Sequence, residues 1–201
     1  MMSERIYLNN DWKFAEQFEA SMTEAAYDDS VMQNVRIPHT CKETPLHYFD
    51  EHCYQMVSGY RRVIEAEEAW KGKKILLTID GAAHDSEVFL NGDKVGEHHC
   101  GYTAFTMDIS GALRYGEKNI LAVKVDSRED LNIPPFGYVI DYMTYGGIYR
   151  DVYLDIKNTD YIEDIFIRTD IGQMDGQNAE LISEVMVQRS QEGLFLKQSL
   201  K

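Results

Sequence analysis

The stretch IPPFGYVIDYMTYGGIYRDVYL, residues 133–154, runs from a proline-stiffened aromatic loop through a double glycine into an alternating strand. Pro134 and Pro135 fix φ and donate no amide, so the backbone there is extended and lies outside any ladder. Gly146 and Gly147 permit a sharp turn. From Ile148 onward the period is two: Ile148, Arg150, Val152, Leu154 and Ile156 share one face, and Tyr149, Asp151, Tyr153 and Asp155 share the other. The pattern puts Arg150 among aliphatic side chains, where an unpaired charge is strongly disfavoured. A structural duty is therefore expected of Arg150, through an ion pair or a carbonyl clamp, and of Asp151 beside it. The loop that carries Tyr138, Asp141, Tyr142 and Tyr145 is held against the end of a sheet.

Working outward, KKILLTIDG at 73–81 alternates Ile75, Leu77 and Ile79 before Gly81. In DSEVFLNGDKVGEHH at 85–99, Val88 and Leu90 alternate with Glu87 and Phe89 ahead of Asn91-Gly92. That dipeptide suits a type I′ hairpin, because both central residues need φ > 0. In TAFTMDISGAL at 103–113, Asp108 is placed to cap a short helical turn through Leu113. Residues 119–126 resume alternation with Leu121, Val123 and Val125, and residues 54–66 read as a long strand around Tyr60, Arg62 and Ile64. Trp12 and Phe14 begin a strand, residues 35–39 are extended and stopped by Pro38, and residues 16–32 read as loop with a helical turn. Short strands at roughly 8–12 residue spacing with few long helices predict an all-β fold, a sandwich of jelly-roll type. The pattern breaks near Asn158, and three further candidate strands follow at 161–169, 179–188 and 193–199. Three strands cannot close a sandwich, so residues 158–201 read as the opening of a second β domain after a first domain at 1–157.

At 201 residues the chain is too short for a (β/α)8 barrel of roughly 250. A formal net charge of −14 repels phosphate, which argues against nucleic acid or an anionic membrane as partner. The N-terminal MMSERIYLNNDWKF has no apolar leader core, and no window approaches the ~20 apolar residues of a membrane span, so a cytoplasmic protein is expected. Cys41, Cys53 and Cys100 are odd in number and have no metal-like spacing, as expected of reduced thiols. Glu97, His98, His99 and Cys100 are consecutive on an extended segment and point to alternating faces, so no metal is expected there. His84-Asp85-Ser86 holds triad residue types, but neighbours in an extended chain cannot relay a proton to one another. No glycine-rich phosphate loop is present, and no cofactor is expected.

Several short blocks occur together: Ile37-Pro38-His39, Gly59-Tyr60-Arg61-Arg62, Leu90-Asn91-Gly92 with Val95-Gly96, Gly101-Tyr102-Thr103 with Phe105 and Asp108-Ile109-Ser110, Asn119-Ile120-Leu121, and Gly146-Gly147-Ile148-Tyr149-Arg150-Asp151-Val152. In type and order they resemble the N-terminal sugar-binding domain of glycoside hydrolase family 2, most of all its β-galactosidase branch. The resemblance covers about residues 5–157 as the jelly roll, and residues 158–201 look like the start of the family's immunoglobulin-like second domain.

The resemblance implies that both catalytic glutamates lie on a C-terminal barrel absent from this sequence. No catalytic residue is carried over, and the chain alone is expected not to cleave glycosides, because a retaining glycosidase needs two carboxylates about 5–5.5 Å apart. It also implies that a jelly-roll loop reaches the barrel and touches the terminal sugar through an acid shortly before the double glycine. Asp141 is the nearest acid, and Val139 stands where many relatives carry another. Tyr138, Tyr142 and Tyr145 offer flat apolar surface with a polar tip. The implied partners are the catalytic domain, a carbohydrate substrate and a sister subunit in a homo-oligomer. The competing expectation is a stand-alone carbohydrate-binding module, and a third is a structural assembly domain, since fold alone does not fix function.

Overall fold

The computed structural model describes residues 4–47, 50–134, 136–137, 144–170, 180–189, 192–193 and 195–199. Its strands are β1 (Glu4–Tyr7), β2 (Trp12–Ala15), β3 (Gln33–Val35), β4 (Val57–Glu65), β5 (Lys74–Ile79), β6 (Ala82–Ala83), β7 (Asp85–Leu90), β8 (Asp93–His98), β9 (Phe105–Asp108), β10 (Lys118–Asp126), β11 (Gly147–Ile148), β12 (Val152–Lys157), β13 (Tyr161–Asp170) and β14 (Glu180–Gln188). One sheet runs β1-β12-β5-β9 and a second runs β3-β2-β4-β10-β7-β8. Their inner rows meet in one core: Ile75, Leu77, Ile79 and Leu154 from the first, Tyr60, Val88, Leu90, Leu121 and Val123 from the second. Alternation explains the assignment, since β7 buries Ser86, Val88 and Leu90 and leaves Asp85, Glu87 and Phe89 half-buried. The all-β sandwich expected from the strand spacing is the fold observed. Among the described residues no helix is long and apolar enough to cross a membrane.

The Asn91-Gly92 turn has φ of 55° and 97°, the doubly left-handed backbone that a type I′ hairpin requires. Residues 16–32 contain two 3-10 turns, Ala20–Thr23 and Asp29–Val31. Asp108 accepts from the Ser110 amide at 3.0 Å, but it ends a strand and starts a single turn closed by the Leu113 amide on the Ile109 carbonyl. The strand expected at 193–199 does not form in its described residues, 193 and 195–199. Among the described residues β13 and β14 pair only with each other.

The alternation starting at Ile148 is not continuous. β11 ends at Ile148, β12 begins at Val152, and the two belong to different sheets. Between them the Tyr149 amide donates to Gly81 and the Asp151 carbonyl accepts from Asp80, so the chain crosses from one ladder to another. Arg150 sits on that crossing and is exposed, not buried among Ile148 and Val152 as the period suggested. Its Nη1 donates to the Tyr102 carbonyl at 3.0 Å. Asp151 accepts from the Asn9 amide side chain at 2.9 Å, tying the crossing to the β1–β2 connection.

The buried arginine is Arg61, 2% exposed on β4. Its side chain reaches the outer row of the sheet, where the 3-10 turns cover it. Nε donates to the Met22 carbonyl at 3.0 Å, Nη2 to the Glu24 carbonyl at 2.7 Å and Nη1 to the Asp29 carboxylate at 2.6 Å. This clamp holds the irregular 16–32 segment, which has no ladder of its own to do so.

Candidate functional site

The loop from residue 128 to 145 leaves and re-enters the sandwich at almost one point. Ser127, at the end of β10, is buried, and its hydroxyl donates to the Tyr54 carbonyl at 2.5 Å and reaches the Met56 carbonyl at 3.0 Å. Gly146 packs against it: a β-carbon there would lie 2.6 Å from Ser127 Oγ and 2.8 Å from Cys41 Sγ. At Gly147 φ is +110°, and a β-carbon would lie 2.6 Å from the Tyr60 hydroxyl. The double glycine is therefore required by close approach as well as by the turn.

Backbone pairing fixes this exit from both sides. Gly147 and Ile148 pair with Ala83 and Ala82, while the His39 and Cys41 amides donate to the Ile148 and Gly146 carbonyls at 2.8 and 2.9 Å. The Ile37-Pro38-His39 block and the Gly146-Gly147-Ile148 block, about a hundred residues apart in the chain, are thus neighbouring extended segments. Burial pushes the Cys41 thiol up to about 11, which marks it as a packing residue and not a nucleophile.

Beside the exit lies a cleft of about 320 Å³ lined by His84, Tyr102, Thr144, Tyr145, Tyr149 and Arg150. Tyr145 is 53% exposed and sets its ring edge-on to Tyr54, with centroids 5.1 Å apart. The Tyr149 hydroxyl donates to the Gly101 carbonyl, and the Arg150 guanidinium lies 5.2 Å from the Tyr149 ring centre. His84 is 4% exposed, and among the described residues neither ring nitrogen has a hydrogen-bond partner. Burial lowers its pKa, with Glu129 and Asp126 opposing. Glu129 Oε2 is likewise buried and unpartnered. The cleft offers tyrosine rings, a guanidinium and an imidazole held neutral, a set suited to a flat polyhydroxylated ligand.

Of the residues singled out from the sequence, Tyr145 and Arg150 meet in this cleft, and Asp151 lies behind it on the crossing. Tyr138, Asp141 and Tyr142 lie outside the described residues. In the sequence His84 stands out only as a triad residue type beside Asp85 and Ser86. Asp85 instead pairs with His99 at 2.7 Å, and the alternation that puts Ser86, Val88 and Leu90 inside was the signal that His84 is buried too.

Residues 7–158 match the family model described as "Glycosyl hydrolases family 2, sugar binding domain". A β-galactosidase of Thermoanaerobacter pseudethanolicus is 41% identical over 166 residues, covering 82% of this chain and 22% of that protein. A β-glucuronidase of Bacteroides fragilis is 34% identical over 153 residues, covering 76% of this chain and 21% of that protein. The crystal structure of a Bacteroides uniformis β-glucuronidase superposes with a TM-score of 0.73 at 30% identity, over 84% of this chain and 20% of that one. The chain thus spans about a fifth of the length of the relatives it matches.

Proposed function

Because the chain belongs to glycosyl hydrolase family 2 through the sugar-binding domain of that family, we propose that it is the N-terminal, non-catalytic part of a β-galactosidase-like enzyme acting on terminal O-glycosidic bonds. The observation that carries this reading is the anchoring of the 128–145 loop. Both of its ends are fixed against the core, by Ser127 on one side and by Gly146 and Gly147 on the other, so the chain leaves and returns at one place on the sandwich. In this reading Asp141 accepts hydrogen bonds from hydroxyls of the terminal sugar, and Tyr138, Tyr142 and Tyr145 flank its face. Residues 1–157 are the jelly roll and residues 158–201 the first strands of an immunoglobulin-like domain. The greater identity to the β-galactosidase, 41% against 34%, favours galactosides over glucuronides. Three free thiols, Cys41, Cys53 and Cys100, suit a reducing compartment such as the cytoplasm.

The test is a chimera in which this chain replaces the corresponding part of the Thermoanaerobacter β-galactosidase. The chimera should hydrolyse a nitrophenyl β-galactoside, the 201-residue chain alone should not, and Asp141→Ala should raise KM about tenfold or more. Turnover by the isolated chain, or a folded chimera indifferent to Asp141→Ala, would refute the proposal.

A further inference from the structure

The tip of the β7–β8 hairpin is Asn91-Gly92, the one Asn-Gly pair in the sequence. The turn and the chemistry of that pair pull against each other. A type I′ turn favours Asn followed by Gly because both take positive φ. The same pair is the one most open to cyclisation, since a glycine without a β-carbon leaves its backbone nitrogen unhindered for attack on the asparagine amide. Here both side-chain polar atoms of Asn91 are engaged, and its backbone amide with them. The backbone N–H donates to the Ile120 carbonyl at 2.9 Å and Oδ1 accepts from the Ile120 amide at 3.0 Å, so the residue extends the β7–β10 ladder beyond the Leu90–Leu121 pair. Its Nδ2 donates to Asn119 Oδ1 at 2.8 Å and to the Ala112 carbonyl at 3.2 Å.

Backbone groups fix the direction of these bonds. Asn119, fully buried, accepts from the Arg114 amide at 2.8 Å through Oδ1 and donates through Nδ2 to the Arg114 and Glu117 carbonyls at 2.9 and 3.1 Å. Turning its amide over would set donor against donor and acceptor against acceptors. Asn119 therefore presents an acceptor to residue 91, and only an amide nitrogen there meets it together with the Ala112 carbonyl. A carboxylate would place an oxygen against two acceptors in a half-buried position. We propose that Asn91 is a covalent modification site gated by folding, held as asparagine while the network is closed and deamidated once the hairpin tip opens. In the reaction the Gly92 nitrogen gives up its proton to water and attacks Asn91 Cγ; a C–N bond forms, the Cγ–Nδ2 bond breaks, and Nδ2 takes a proton from water and leaves as ammonia. Water then opens the cyclic imide at either carbonyl, giving aspartate or, with the main chain rerouted through Cβ, isoaspartate. The folded network opposes the first step, because Cγ can turn toward Gly92 only by giving up all three side-chain bonds. Neither product rebuilds it: aspartate lacks the donor, and isoaspartate lengthens a two-residue turn by one main-chain carbon. Opening of the tip is thus recorded irreversibly, and the altered chain returns to a weaker fold.

The full 201-residue chain is incubated in mildly alkaline buffer, with and without urea above its unfolding transition. Peptide mapping then separates asparagine, aspartate and isoaspartate at residue 91. Conversion in urea should be at least about a hundredfold faster than in buffer, because the folded rate is limited by the rare open state. Asn91→Asp, which stands for one of the two products, should lower Tm by about 5 °C or more. Should that variant fail to fold, the parent chain aged in urea and returned to buffer answers the same question: the chains recovered in folded form should be enriched in asparagine at residue 91. The proposal is overturned by conversion in buffer within about threefold of that in urea, by no conversion of Asn91 in urea, or by an Asn91→Asp variant with the Tm of the parent. It is equally overturned if the refolded, aged chains carry aspartate and isoaspartate at residue 91 in the proportion present before refolding.

Discussion

The Tyr60 hydroxyl lies 2.8 Å from Nδ1 of His39, and the two rings pack tilted against Phe14, with centroids 5.0 and 4.7 Å from its own. This contact joins the Gly59-Tyr60-Arg61 strand to the Ile37-Pro38-His39 segment at the place where the double glycine passes. A β-carbon at Gly147 would enter it, 2.6 Å from the Tyr60 hydroxyl and 2.8 Å from the His39 carbonyl, on a backbone already at positive φ. Gly147→Ala should therefore cost about 2–4 kcal/mol, from strain and close contact together. Tyr60→Phe, which strips one hydroxyl from the same junction, should cost about 1 kcal/mol. Urea denaturation of the two variants measures both values. A Gly147→Ala variant within about 0.5 kcal/mol of the parent would show that the junction yields freely.

Arginine position separates two substitutions of the same chemistry. Arg61→Met leaves the Met22 and Glu24 carbonyls and the Asp29 carboxylate without their donor, and should destabilise the fold by about 2–4 kcal/mol. Arg150→Met removes an exposed group with one good carbonyl contact, and should cost less than about 1 kcal/mol. Thermal melts of both variants decide it. An equal or reversed order would mean that the charge at the β11–β12 crossing matters at least as much to stability as the buried clamp.

That pair also marks where the sequence was legible. Period two found the sandwich because an apolar residue recurs at every second position of the inner rows, as in Ile75-Leu77-Ile79 and Leu121-Val123-Val125, even where residues between them are covered too. The same rule misplaced Arg150, because a period cannot reveal that a strand ends after Ile148 and another sheet takes over at Val152. It was silent on Arg61, whose partners lie on the 16–32 segment, fixed by side-chain hydrogen bonds and not by a repeat. The Ile37-Pro38-His39 and Gly146-Gly147 blocks were recognisable separately. Their contact was not, since it is set by the Cys41 and His39 amides pairing across about a hundred residues. His84 was hidden by its neighbours, as a polar residue at an inward position reads like a surface one until the sheets close.

Burial lowers the pKa of His84 below its unfolded value of 6.5, so the unfolded chain takes up a proton first as pH falls. Folding stability is then full above that value and declines below it, toward the lower folded pKa. His39 is shifted in the same direction, also chiefly by burial, and contributes with the same sign. The parent should thus lose Tm between about pH 7.5 and pH 5.5, and His84→Asn should show a shallower loss across that window. Parallel Tm curves for the two proteins would mean that His84 is no better a proton acceptor unfolded than folded.

The β13–β14 hairpin should be the least protected part of the described chain. Two strands alone are marginal in water, and Ile162, Ile165, Phe166 and Ile167 are each 46–60% exposed, whereas Leu121, Val123 and Val125 of β10 are fully buried. Each hairpin amide therefore exchanges through local opening that exposes little new apolar surface, while β10, paired on both sides by β4 and β7, opens only with the sandwich. Native-state hydrogen exchange should give β13 and β14 protection at least about a hundredfold below that of β10, independent of low urea, with β10 tracking global stability. Apolar side chains exposed on both faces of an otherwise unpaired two-stranded sheet are also a pairing hazard, so protection of the hairpin should rise with protein concentration if two copies cover it. Protection equal to β10 in dilute solution would mean that the hairpin is stabilised within a single chain.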